Sequence, residues 1–172
     1  MSKKLIAVDS CSILHHLTQN AVWDQFISPF FADAFSGHHD ILISEISIAE
    51  CSRLESVGAN KLSAAESVKL LNGFFRNSFI RRRGITSRES EFAADLIRQH
   101  SLGTCDALIA ATAVYAGAEI LYTSDGCTGR RKPGKLLTAG TIKTPCGKIM
   151  AIQDPSNGKA AALLNPSKGN NK

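Results

Sequence analysis

Two short runs of branched apolar residues, Leu5-Ile6-Ala7-Val8 and Ile41-Leu42-Ile43, each stop at polar residues able to begin a helix: Asp9-Ser10-Cys11-Ser12 and Ser44. Such runs read as buried strands and the polar residues after them as helix caps, so Asp9 stands at a strand's carboxyl end. After Ser44, Ile46, Ala49 and Leu54 recur at roughly helical spacing, which puts Glu50 inside a helix. Ser63-Ala64-Ala65-Glu66 has the form of a capping box, in which Ser and Glu each satisfy a free backbone N–H, and Val68, Leu70, Leu71, Phe74 and Phe75 follow. Phe79-Ile80 reads as a brief strand before Arg81-Arg82-Arg83, and Ser87 opens a helix carrying Phe92, Leu96 and Ile97.

Gly103-Thr104-Cys105-Asp106 opens the most apolar helix, running from Ala107 to Tyr115 with Gly117 as its stop, and a helix apolar nearly all round is buried nearly all round. Glu119 to Thr123 then forms a strand ending at Ser124-Asp125-Gly126, so Asp125 lands where Asp9 does. From Gly126 to Gly147 the chain is rich in Gly, Thr, Lys and Arg, and an irregular basic loop is expected, with Lys148 to Gln153 adding a last edge strand. Strands alternating with helices imply an α/β fold whose mainly parallel sheet is built by right-handed crossovers and covered by helices on both faces, a three-layer α/β/α sandwich. Residues 1–154 form the expected domain; residues 155–172 form a tail expected to be partly disordered from about Pro166.

The chain has 172 residues, 44% of them hydrophobic, which suits one core without disulfides. Lys and Arg number 20 against 15 Asp and Glu, a formal charge of +5, which favours a polyanionic partner over an acidic one. The five cysteines (Cys11, Cys51, Cys105, Cys127, Cys146) lack the close pairs of structural zinc or a redox dithiol. No stretch is long and apolar enough for a signal peptide or a membrane span, so a cytoplasmic protein is expected.

In an open parallel sheet ligands gather beyond the carboxyl ends of the strands, so Asp9 and Asp125 face that side. Asp106, in the first turn of a buried helix, and Glu50 can join them, because both helices must pack on the sheet to hide their apolar faces. Each acid alone reads equally well as a cap or a surface residue; the four together do not. One like-charge pair at ~4 Å repels by about 4 kcal/mol at an effective dielectric near 20, and a cation offsets that. Oxygen ligands without Cys or His suit Mg²⁺ or Mn²⁺ rather than zinc. Such an ion activates water and neutralises charge on a phosphodiester, with Asp9 and Asp106 the expected direct ligands and Glu50 and Asp125 completing the shell or deprotonating the water. Arg130, Arg131, Lys132 and Lys135 are candidate contacts to a nucleic-acid backbone, as are Arg81 to Arg83, although a basic run is as often plain solvated surface. His15, His16, His38, His39 and His100 follow no metal spacing, and Trp23 reads as core or dimer-interface filler.

Four blocks carry a resemblance: Val8 to Leu14, Ile43 to Cys51, Asp106 to Ala113 and Leu121 to Asp125. In this order they resemble the acidic motifs of PIN-domain ribonucleases, especially VapC-type toxins of toxin–antitoxin pairs, over about residues 4 to 126. The resemblance implies a PIN-like fold and a Mg²⁺- or Mn²⁺-dependent endoribonuclease with Asp9, Glu50, Asp106 and Asp125 as its acids. It also implies a homodimer held off by a cognate antitoxin. Two positions depart from the pattern: Cys11 stands where Ser or Asn is usual, and Thr128 where a further acid is often found. A PIN-like module that binds RNA or protein with little or no nuclease activity is the alternative. A phosphatase of the haloacid dehalogenase type would want Asp where Cys11 stands.

Overall fold

A computed structural model describes residues 3–52, 54, 62–125 and 134–156. In chain order the elements are β1 (Lys4–Val8), α1 (Ser10–Leu17), α2 (Asp24–Phe35), β2 (His39–Ser44), α3 (Glu45–Cys51), α4 (Ala64–Phe75), β3 (Ile80–Arg83), α5 (Ser87–His100), α6 (Thr104–Tyr115), β4 (Ile120–Tyr122), α7 (Lys135–Ala139), β5 (Thr141–Lys143) and β6 (Ile149–Gln153). The strands form one sheet of order β3-β2-β1-β4-β6-β5, parallel throughout except for β5 against β6.

Alternation along the strands sends side chains to two cores. Ile41 and Ile43 join Val8, Ile13, Trp23, Ile27, Phe31, Phe74 and Phe75 on the face covered by α1, α2 and α4. Leu42, between them, joins Ala7, Leu121, Leu96 and the apolar run of α6 on the other face. The three-layer α/β/α sandwich with a mainly parallel sheet is therefore the observed fold. Among the described residues no helix is long and apolar enough to cross a membrane.

The capping box at Ser63 and Glu66 forms as expected, and a second one, Thr86 with Glu89, opens α5. Gly117, at φ +79, takes the left-handed turn that ends α6. Several expectations require correction. α2 contains Pro29, which removes a helical hydrogen bond; burial of Ile27, Phe31 and Ala34 along one stripe outweighs that loss. α3 stops at Cys51, so Leu54 is buried outside it. β3 takes in the arginines expected to follow it, and the expected loop 126–147 contains α7 and β5. β6 is an interior strand because β5 caps the edge. Of the expected tail, Pro155 and Ser156 are described and residues 157–172 lie outside the described residues.

Candidate functional site

The neighbours of β1 are β2 on one side and β4 on the other, so the crossovers diverge there, and the carboxyl ends of β1 and β4 are where an open sheet of this kind takes its ligands. Asp9 immediately follows β1, and its N–H donates to the Tyr122 carbonyl at 2.9 Å, extending the pairing one residue beyond the strands. It is buried, 3% exposed. Its Oδ1 accepts from the Ser10 N–H at 2.6 Å, which makes it the N-cap of α1, while its Oδ2 accepts from the Thr123 hydroxyl at 2.8 Å and the Cys11 thiol at 3.1 Å. Ser10 has one hydroxyl proton, and its 2.7 Å contact with Glu50 Oε2 takes it in preference to the 3.3 Å contact with Asp9 Oδ1. Asp9 Oδ1 thus keeps acceptor capacity for another partner.

Glu50 reaches Ser10 from α3, which packs on α1. Asp106 occupies the first turn of α6, half-buried, with the Gly103 backbone bonded to its carboxylate. Asp125 is exposed and is held through its backbone: its N–H donates to Thr123 Oγ1 at 3.2 Å and its carbonyl accepts from the Gly134 N–H at 3.2 Å. A Cβ on Gly134 would lie 2.7 Å from Asp125 Oδ2 and 3.0 Å from Asp125 O, so the returning chain approaches this closely only with glycine there.

Electrostatics tie the four acids together. Asp106 is pushed up to about 6, first by burial and then by the charges of Asp9, Asp125 and Glu50, against a smaller opposing effect of the Gly103 backbone. Asp9 is also raised: burial outweighs the hydrogen bonds from Cys11, Thr123 and Ser10, and Glu50 adds repulsion. Burial, then the charge of Asp9, drives Cys11 well above the ordinary thiol range, so its sulfur carries the proton it donates to Asp9. Asp9, Glu50 and Asp125 therefore all act on Asp106, and the four acids share one negative field.

That field and an all-oxygen donor set fit a hard divalent cation. The fit is one of chemistry and charge: among the described residues, no three His, Cys, Asp or Glu side chains are already grouped to hold an ion. Asp9, with free capacity on Oδ1, and Asp106, raised by burial and by the charges of three other acids, are the residues suited to take it.

Lys135, the first residue of α7, is exposed and directly follows Gly134, whose N–H bonds the Asp125 carbonyl. Arg130, Arg131 and Lys132 lie outside the described residues, as does Thr128. Arg81, Arg82 and Arg83 bind carboxylates of the chain itself, Asp40 at 2.9 Å, Glu45 at 3.0 Å and Glu89 at 2.6 Å. Trp23 is core, 1% exposed. Sequence reasoning missed Thr123, whose hydroxyl joins Asp9 to Asp125, and His15, whose Nδ1 lies 2.8 Å from Ser124 Oγ. The available signal was spacing: Thr123 sits two residues before Asp125, and His15 one helical turn after Cys11.

The family model for the PIN domain matches residues 6–126 of this chain. No curated protein matches it. The solved structures similar to it include DNA-bound VapBC from Salmonella typhimurium, at 18% identity and a TM-score of 0.59, covering 90% of this chain and 99% of that one. VapBC2 from Rickettsia felis, bound to a DNA fragment of its promoter, aligns at 17% identity and a TM-score of 0.58, over 87% of this chain and 98% of that one. VapC20 of Mycobacterium tuberculosis, described as a sarcin-ricin loop cleaving toxin, aligns at 16% identity and a TM-score of 0.56, over 70% and 90%.

Proposed function

Because this chain belongs to the PIN domain family, we propose that it is a metal-dependent endoribonuclease, the toxin of a toxin–antitoxin pair. The observation that carries the reading is the common field of four acids from four segments, which adds to burial in pushing Asp106 up to about 6. Crowded carboxylates of this kind are stable when a cation is captured. Bound Mg²⁺ or Mn²⁺ would neutralise charge developing on a phosphodiester and acidify water beside it.

The chain's own residues supply the rest. Asp9 and Asp106 would hold the ion. Thr123 and Cys11 orient Asp9, and Ser10 orients Glu50. Asp125, which is exposed, would take a proton from the attacking water, with Glu50 the other candidate. Lys135 and the basic residues Arg130, Arg131 and Lys132 would hold the RNA backbone, and single-stranded or loop RNA suits such a site because its phosphates are accessible. Similar structures are described as VapBC complexes, which supports an antitoxin as partner; a homodimer and a cytoplasmic location belong to the same reading.

The test is RNA cleavage by purified protein free of antitoxin, with Mg²⁺ or Mn²⁺ added. Asp9→Asn and Asp106→Asn are each expected to abolish cleavage while leaving the protein folded; undiminished cleavage by either refutes the assignment. The ungrouped metal-ligating side chains favour a second reading, a PIN-like module that binds RNA or protein without cutting. Wild-type protein that binds RNA but cleaves none with either metal would establish it.

A further inference from the structure

Helix α1 turns one face toward the segment that carries Asp125. Cys11, Ser12 and His15, at positions i, i+1 and i+4, all contact Ser124: the Ser124 N–H donates to Cys11 Sγ at 3.3 Å, the Ser12 hydroxyl donates to Ser124 Oγ at 3.4 Å, and His15 Nδ1 lies 2.8 Å from Ser124 Oγ. Ser124 is 1% exposed and Ser12 is 1% exposed, so the bond between them forms away from solvent, while Cys11 and His15 are half-buried. The His15 ring is itself fixed, stacked on the buried Trp23 with centroids 5.7 Å apart and planes 6° from parallel.

Ser12 donates to Ser124 Oγ, which pairs in turn with His15 Nδ1, the donor on that last contact being set by the imidazole tautomer. Burial lowers the basicity of His15, which favours the neutral ring. The chain Ser12–Ser124–His15 therefore ends on a ring whose plane is held by its stack on Trp23.

We propose that His15, with Cys11, is a positioning residue that clamps Ser124 and thereby sets Asp125 against Asp9 for cation binding. The inference rests on the metal-dependent reading given above. Its logic is that Asp125 has an exposed side chain and takes its place from its backbone. Among the described residues, the side-chain bonds of Ser124 all run to α1, whereas Thr123 ties the Asp125 backbone to Asp9 from the other side. Because Cys11 both donates to Asp9 and accepts from Ser124, the clamp and the buried acid share one side chain.

The experiment compares His15→Leu, which fills similar space without a hydrogen-bonding atom, with His15→Asn, whose side-chain amide can replace Nδ1. Three quantities are read: amide hydrogen exchange at Ser124 and Asp125 in metal-free protein, the dissociation constant for Mn²⁺ alone, and kcat and KM for RNA cleavage. His15→Leu is expected to speed exchange at both amides. It should also weaken Mn²⁺ binding and lower kcat by roughly tenfold with little change in KM or Tm, as loss of outer-shell partners does. His15→Asn should restore all three. Unchanged exchange in a folded His15→Leu protein overturns the clamp, whatever the nuclease activity. Faster exchange with unchanged Mn²⁺ binding and kcat overturns its role at the site. A wild-type protein that neither binds Mn²⁺ nor cuts RNA fails the functional reading and removes that role with it, while the exchange data still decide whether α1 holds Asp125.

Discussion

At Asp106 the interests of the fold and of the site conflict. Its carboxyl titrates at about 6 in the folded protein against 3.8 unperturbed. The folded state therefore holds the proton more tightly between those values, and its stability falls as pH rises through that window. Above about pH 6 the ionised group is a net burden, of about 1 kcal/mol once solvent screening of a half-buried group is allowed for. Asp106→Asn is thus expected to raise Tm at pH 7.5 and to leave it nearly unchanged at pH 3.5, while abolishing metal-dependent cleavage; a lower Tm at pH 7.5 would show that the crowding is absent. By the same linkage, Mn²⁺ affinity should weaken as pH drops below about 6, because the ion must displace that proton. A titration of Mn²⁺ binding between pH 5 and 8 measures it.

At the scale of elements, α5 and β3 are joined through Glu89, which is fully buried. Burial alone would raise its carboxyl, but the Thr86 hydroxyl, Arg83 and the local backbone together outweigh that and bring it down to about 2. The stability it contributes is therefore complete above about 4.5 and is lost as pH falls from there toward 2. Glu89→Gln should lower stability at pH 7 by roughly 2 kcal/mol, since it strips partners from Arg83 and from the start of α5. Denaturant unfolding at pH 7 and pH 2.5 checks this, the difference between variant and wild type shrinking at the lower pH. At α7, Gly134→Ala would press a Cβ on Asp125, and cleavage is expected to fall by roughly tenfold or more with the fold retained, measured against Tm.

Over the whole molecule, what could be read in the chain was what local rules determine. The capping box at Ser63, the alternation of buried strands and helices, and the placing of Asp9 and Asp125 at strand ends all follow from spacing and cap chemistry. α2 was hidden because Pro29 argues against a helix that tertiary burial then enforces, and β5 because three residues in a basic stretch carry no period. The acids could be picked out in the sequence because each lies at an element's end or first turn or within a recognisable block. His15 and Thr123 were not, because their importance lies in contacts across more than a hundred residues of chain, with Ser124 and Asp9 respectively. The account as a whole stands on one claim, that Asp9, Glu50, Asp106 and Asp125 form a pocket that captures a hard cation. Crystals soaked in Mn²⁺ and measured for its anomalous scattering test it directly. The expected result is a peak held between the carboxylates of Asp9 and Asp106 that disappears in Asp9→Asn; a map with no peak there at saturating Mn²⁺ would contradict it.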